Sequence, residues 1–370
     1  MTELTIPGNL EGLTDSWLTE ALRSNGVIQN ANVTISRTDE IGAGTGLMGS
    51  LARLYLEYDT PEEGAPETLV VKLPTTSPEN LMVALTLNFY QREVNFYRYA
   101  APISKFRTPK TYYIDIDDSG QSFVLLLEDL GEAVVDQVEG GSGETSYKAL
   151  MELARFHAQF APMVQNDELD WALNSMDTDY VALNDALYRQ SVEPALKNFE
   201  SHFSPTTRKL ALDLADKITP LMNAQVKEAY TLIHGDFRLD NLFMGRLPPR
   251  EGFPETGLAV VDWQICCKAE GPFDLAYHLC NIDISIRREI EERVLKDYYE
   301  ILVSNGVKNY PRDTFMIQYR RFILFSLLYS ISIAGTLDLA NERGVELART
   351  YLDRTLAAIE DHRSYEVVPG

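Results

Sequence analysis

Cysteine is scarce in this chain: three in 370 residues, Cys266, Cys267 and Cys280. So few and so clustered, they supply no disulfide framework and point to a reducing, cytoplasmic setting. Adjacent cysteines do not suit a chelating turn and no second pair exists, so a zinc centre with His278 is set aside. Positive charge is also short, with 33 Lys and Arg against 55 Asp and Glu and a net charge of −22. Proteins that bind phosphate backbones concentrate positive charge, so no nucleic-acid partner is expected. Long apolar runs are missing too. The longest uncharged stretch, residues 322–337, is interrupted by hydroxyls and falls short of a membrane span, so it reads as a buried helix and no membrane partner is expected. The opening Met1-Thr2-Glu3-Leu4 has neither the basic n-region nor the apolar run of a secretory leader.

What remains is an ordinary globular composition, 45% hydrophobic and 24% charged, long enough for two lobes with real cores. A short helix is predicted over 16–25. Strands follow over 33–38, 51–58 and 68–73, with Leu54 and Leu56 on one side and Arg53 and Tyr55 on the other. Residues 78–100 read as one long helix, with Leu81, Leu85, Phe89 and Phe96 in a stripe and Glu93 beside it. Two more strands, 111–116 and 122–127, complete a mostly antiparallel sheet. Beyond Gly131 the pattern turns helical: 145–160, 182–200, 205–223, 285–305, 312–340 and 345–362. One β-rich island interrupts it at 230–261, and 131–143, rich in Gly and acids, reads as a surface loop.

Three groups of residues carry chemistry. Gly44-Thr45-Gly46, with Gly49 three positions on, has a spacing shared by dinucleotide folds and kinases. A dinucleotide site needs a helix straight after the glycines, whereas 51–58 alternates as a strand. No Gly-Lys-Ser/Thr follows either, which leaves a hairpin lid over phosphates or a plain flexible turn. Next, Val70-Val71-Lys72-Leu73 puts one cation in an apolar strand, and a buried ammonium needs a carboxylate, for which Glu93 is placed. The bland alternative makes Lys72 an edge-strand lysine and Glu93 a solvated acid. Third, Ile233-His234-Gly235-Asp236 runs on through Arg238 and Asp240 to Asn241. Phosphoryl transfer to an alcohol needs a carboxylate to orient the hydroxyl and accept its proton, and a nearby oxygen ligand for magnesium. Asp236 and Asn241 supply these, and Asp262, ending the apolar run 258–261, adds a second hard oxygen ligand.

Together, the glycine loop, Lys72, Glu93, His234-Gly235-Asp236, Asn241 and Asp262 resemble the aminoglycoside phosphotransferase and choline kinase superfamily, and within it the ecdysteroid-kinase-like proteins. Leu13-Thr14-Asp15-Ser16-Trp17-Leu18, Glu128-Asp129-Leu130-Gly131 and Gly271-Pro272-Phe273-Asp274-Leu275-Ala276 share that likeness, which runs from about residue 13 to 340. The resemblance implies an α+β, protein-kinase-like two-lobe fold: an antiparallel-sheet N-lobe with one long helix (1–127), a hinge (128–131) and a mainly helical C-lobe (132–370). It implies ATP and Mg2+, with Gly44, Thr45, Gly46, Gly49, Lys72 and Glu93 on the nucleotide side. The backbone of Leu127, Glu128 and Leu130 would meet adenine, Asp236 would be the base, and Asn241 and Asp262 would hold the metal. Two departures stand out: Trp263-Gln264 follows the metal acid in place of Phe-Gly, and Arg238-Leu239-Asp240 fills a stretch that varies between subfamilies.

His157 and His234 read as core and loop-bracing residues, Asp274 as a brace of the catalytic loop, and the acids from Asp167 to Asp185 as solvated surface. The expected activity is a small-molecule kinase acting on a hydroxyl, with a neutral, partly apolar acceptor. Alternatives are a cationic acceptor of aminoglycoside or choline type, met by Asp167, Glu168, Asp170, Asp177 and Asp179, or a catalytically silent binding protein. A two-metal hydrolase using His234, Asp236 and Asp262 leaves the glycine loop and Lys72 without a purpose.

Overall fold

In the computed structural model, residues 4–41, 48–132, 135–253 and 256–369 are described. The chain divides into two compact units. The first comprises Met1–Glu132, Arg246–Glu255 and Ala259–Ile265; the second comprises Ala133–Gly245, Thr256–Leu258 and Cys266–Gly370.

Alternating side chains build the first unit. Helix α1 (Asp15–Ser24) starts where the Thr14 side chain accepts from the Trp17 amide, satisfying one of the donors that a helix start leaves open. Strands β1 (Val33–Ile41), β2 (Gly49–Tyr58) and β3 (Thr68–Pro74) precede helices α2 (Pro78–Thr86) and α3 (Phe89–Asn95), and β4 (Thr111–Ile116) and β5 (Phe123–Glu128) follow. The five strands form one antiparallel sheet in the order β1-β2-β3-β5-β4. Leu54 and Leu56 of β2, Leu69, Val71 and Leu73 of β3, and Leu126 of β5 join Leu18 and Leu22 of α1 in one apolar core. Because strand side chains alternate faces, Lys72 must point the other way. It does so from the middle of the sheet, paired in register with Leu51 of β2 and Leu125 of β5, so the edge-strand reading of this lysine fails.

The helical stretch 78–100 is not continuous. Asn88 sits at φ +54°, and α2 stops before it. Asparagine is among the few non-glycine residues that visit this left-handed region at tolerable cost. From Phe96 to Ala100 the coil widens into a π-helical turn.

The second unit is mainly helical: α4 (Gly143–Gln165), α5 (Thr178–Asn198), α6 (Pro205–Leu214) and α7 (Ile218–Asn223) come first. Then come short strands β6 (Tyr230–Ile233), β7 (Leu242–Arg246), β8 (Thr256–Val260) and β9 (Cys267–Glu270), of which β8 ends in the first unit. Helices α8 (Pro272–Asn281), α9 (Ile284–Ser304), α10 (Arg312–Thr336) and α11 (Glu342–His362) complete it. Helix α10 packs on α5, α8 and α11, while α4 packs on α9 and β6. Antiparallel pairing of β6 with β9, Ile233 opposite Cys267, fixes where the chain leaves β6 into the segment 234–241. Among the described residues, no helix is long and apolar enough to cross a membrane.

Candidate active site

In the first unit, the site is built around one ammonium. Lys72 Nζ lies 2.7 Å from Glu93 Oε2 of α3 and 2.8 Å from Asp262 Oδ1. Lysine and glutamate are buried, at 5% and 1% exposure, whereas the Asp262 side chain keeps 26%. Burial works against the lysine charge, but Asp262 and Glu93 outweigh it and hold its pKa above the usual lysine range. Burial pushes Glu93 upward; Lys72 opposes this and the Asp262 charge adds to it. One cation therefore serves two acids.

Helix α3 fixes both acids. It carries Glu93, and the neighbouring Arg92 donates to the Ile265 carbonyl just beyond Asp262. One residue past α3, Phe96 stacks on the fully buried Trp263 at 3.7 Å between ring centroids and 5° between planes. The Trp263 indole donates to the Val260 carbonyl at 3.1 Å. Between these anchors Asp262 adopts φ +66°, a left-handed backbone that costs about 1 kcal/mol or more outside glycine. The stacked tryptophan occupies the place where the resemblance leads one to expect Phe-Gly.

Gly44, Thr45 and Gly46 lie outside the described residues. Gly49 is placed against the lysine: a Cβ there would come within 3.3 Å of Lys72 Cε and 3.2 Å of the Leu73 carbonyl. Leu127, Glu128 and Leu130 follow at the end of β5, all at 9% exposure or less. The Glu128 carboxylate is taken up by Arg107 at 3.0 Å and the Lys110 amide at 3.0 Å, and its own amide donates to the Lys110 carbonyl at 2.7 Å.

In the second unit, the segment 234–241 is pinned by Asp274 of α8, which is wholly buried. Its two oxygens accept from the His234 amide at 2.7 Å and the Gly235 amide at 2.8 Å. His157 of α4 contacts the same carboxylate at 3.2 Å through Nε2, and its Nδ1 lies 2.6 Å from the Tyr298 hydroxyl. That pair leaves room only for glycine at 271, where a Cβ would come within 2.5 Å of the Tyr298 oxygen. His234 braces the turn from inside, its Nδ1 accepting from the Asp236 amide at 3.1 Å.

Asp236 is partly exposed, and its Oδ2 accepts from Arg238 Nε and Asn241 Nδ2, both at 3.0 Å. Asn241 Nδ2 also reaches the Asp236 carbonyl at 2.9 Å, so the amide nitrogen is spent on Asp236 and the amide oxygen points elsewhere. The Tyr277 hydroxyl also bonds Asp236, and burial followed by that negative charge keeps the phenol protonated far above its usual range. Arg238 continues to Asp240 and, at 3.1 Å, to the Tyr351 hydroxyl. Burial opposes the Arg238 charge, but Asp236 and its other neighbours raise its pKa.

Lys72, Glu93 and Asp262 thus meet in one unit, and Asp236 and Asn241 in the other. Sequence reasoning missed Arg92, Tyr277, Tyr351 and Gln137, whose side-chain oxygen accepts from the Leu239 amide at 2.9 Å. Only Arg92 left a signal, a cation on an apolar helix face.

A model of the ecdysteroid kinase-like family matches residues 43–308. No curated protein matches the chain. Among solved structures, a choline kinase from Cryptosporidium parvum Iowa II is similar over 96% of this chain and 98% of its own, at 10% identity and a TM-score of 0.56. An ethanolamine kinase from Plasmodium vivax covers 89% of this chain and 84% of its own, at 12% identity and a TM-score of 0.46. The GDP complex of wild-type aminoglycoside 2'-phosphotransferase-IIIa covers 92% and 99%, at 15% identity and a TM-score of 0.49. At such identities the likeness is one of fold, carried by the first: the chain has the α+β, protein-kinase-like fold that its motifs imply.

Proposed function

This chain belongs to the ecdysteroid kinase-like family, and from that premise we propose that it transfers the γ-phosphoryl group of ATP to a hydroxyl of a small organic molecule. The observation that carries the proposal is Lys72 between two carboxylates, at 2.7 and 2.8 Å. A structural ion pair needs one acid. The second leaves the group one negative charge in excess, an arrangement that suits a divalent cation brought in with an anionic triphosphate. Asn241 fits the same purpose, since its hydrogen bonds to Asp236 leave its oxygen as a hard ligand.

The roles follow from these side chains. Lys72, steadied by Glu93, would bind the α- and β-phosphates, with the amides of Gly44, Thr45, Gly46 and Gly49 over them. The backbone of Leu127, Glu128 and Leu130 would receive adenine. Magnesium, held by Asp262 and Asn241, would shield charge on the phosphate oxygens. Asp236, oriented by Arg238, Asn241 and Tyr277, would position the acceptor hydroxyl and take its proton as the oxygen bonds to the γ-phosphorus and ADP departs. Asp236→Asn keeps the shape and removes the proton acceptor. With Mg-ATP and a panel of alcohols, kcat is expected to fall roughly 10²–10⁴-fold while ATP still binds. Near-normal turnover on the best acceptor would rule Asp236 out as the base.

The acceptor we assign is neutral and partly apolar. Asp167, Glu168, Asp170, Asp177 and Asp179 are all exposed, and Asp177 is engaged in capping α5. Beside Asp236 stand instead aromatic side chains, the largely buried Tyr277 in edge contact with Tyr329 at 5.9 Å, which bring no charge to meet a cation.

A further inference from the structure

The Gly-rich stretch 135–143 is no loose surface loop. Gln137 is fully buried within it, and its side-chain oxygen accepts from the Leu239 amide, in the middle of the catalytic segment, at 2.9 Å. Its side-chain nitrogen donates to the Asn281 carbonyl at 2.6 Å, at the end of the helix that carries Asp274. Gly141, at φ +69°, lets the backbone approach so closely that a Cβ would lie 3.3 Å from the Leu239 side chain.

Gln137 is held in turn by α11. Arg354, 7% exposed, donates to the Gln137 carbonyl at 2.8 Å, the Asn281 carbonyl at 2.6 Å and the Val138 carbonyl at 2.7 Å. A guanidinium at the C-terminal end of α8 is also favoured by the helix dipole. Three residues earlier, on the same face of α11, the Tyr351 hydroxyl accepts from Arg238, the residue that bonds Asp236. One helical turn therefore grips the catalytic segment twice: through Arg238, and through Gln137 at the Leu239 amide. Asp274 holds the other end, at His234 and Gly235. Helix α11 lies beyond the residues that the family model matches, 43–308.

We propose that α11 is a clamp on the catalytic segment, with Tyr351, Arg354 and Gln137 as positioning residues that set the orientation of Asp236 without touching substrate. The proposal rests on Asp236 being the base. Its structural half is nevertheless tested without turnover, by amide hydrogen exchange on the full chain. In Gln137→Met, which removes the acceptor of the Leu239 amide, exchange of that amide should quicken roughly fivefold or more. Arg354→Met, which removes the three bonds that hold the Gln137 segment, should quicken it in the same direction by less, while the His234 and Gly235 amides stay protected by Asp274. Arg354→Lys should recover part of the protection. Unchanged Leu239 exchange in both methionine variants overturns the clamp, as does equal loosening of His234 and Gly235, which would mean general unfolding.

The functional half uses Tyr351→Phe, which removes one oxygen and keeps the ring. With Mg-ATP and either water or glycerol as the acceptor, kcat should fall roughly tenfold or more from a misplaced base, with KM for ATP unchanged. Wild-type kcat in Tyr351→Phe overturns the clamp's role in catalysis. Absence of turnover in the wild-type chain with every alcohol tried counts against the kinase reading, while the exchange experiment still decides the clamp.

Discussion

At the scale of single residues, the decisive fact is that Lys72 is shared. Remove its ammonium and Glu93, 1% exposed, has no counter-charge, while Asp262 adds repulsion. Breaking a buried pair from one side commonly costs about 3–5 kcal/mol, because a buried charge is left behind. Lys72→Met should therefore lose stability of that order in denaturant unfolding. The double variant Lys72→Met with Glu93→Gln should recover part of it, since an amide needs no cation. Equal stabilities of single and double variants would show that the Glu93 charge is not what Lys72 balances. Lys72, Glu93 and Asp262 were each legible in the sequence as charges at the border of apolar runs. Their meeting was not, because the contact of Lys72 with Asp262 depends on α3 and the turn after it holding the chain around Asp262 through Arg92 and Phe96. Gln137 and Tyr351 left no mark at all: each belongs to no motif, and its partners lie about a hundred or more positions away, so its role shows only once the tertiary structure is known.

At the scale of elements, β9 ends in Glu270, wholly buried and bonded by the Tyr310 hydroxyl at 2.6 Å, the Val226 amide at 2.6 Å and the Gln318 amide. Burial pushes its pKa from 4.5 up to about 7, against the pull of these donors. The folded chain thus keeps a proton that the unfolded chain releases earlier. The resulting stability is fully present below pH 4.5 and lost as pH rises through about 7. Over that window wild-type stability should fall by about 3 kcal/mol relative to Glu270→Gln, which has no proton to lose. Parallel pH–stability curves for the two proteins would contradict this. The elements themselves divide by their legibility. Strand β2 shows its period of two because one face is buried, at Ala52, Leu54 and Leu56. Helix α8 is hard to read in the sequence because all ten of its residues are buried, Asp274, His278 and Asn281 included, so its polar positions mark no solvent face. The break at Asn88 escaped notice for another reason: the apolar stripe continues in sequence across a residue whose φ is left-handed.

At the scale of the whole molecule, the net charge of −22 acts on every ligand before any contact forms. A field of that sign slows the approach of Mg-ATP, itself an anion, and speeds that of a cation. Added salt shortens the screening length from about 10 Å at 0.1 M to about 3 Å at 1 M, so the two ligands should respond in opposite directions. KM for Mg-ATP should therefore fall as sodium chloride rises from low to moderate concentration. For a neutral acceptor, KM should stay level through the same titration, because no charge is there to be steered. For an aminoglycoside or choline it should climb. The experiment separates the two acceptor classes by slope as well as by rate, which matters because a poor substrate of either kind can turn over slowly. Sterols, terpenoid alcohols and polyols form one arm; aminoglycosides and choline form the other. Efficient phosphorylation confined to the second arm, with KM rising steeply with salt, would defeat the assignment of a neutral acceptor and make the exposed acids from Asp167 to Asp179 the first residues to neutralise. Turnover in the first arm at a salt-independent KM would support the neutral acceptor, because an apolar ring gains its affinity from buried area, which salt screening leaves untouched.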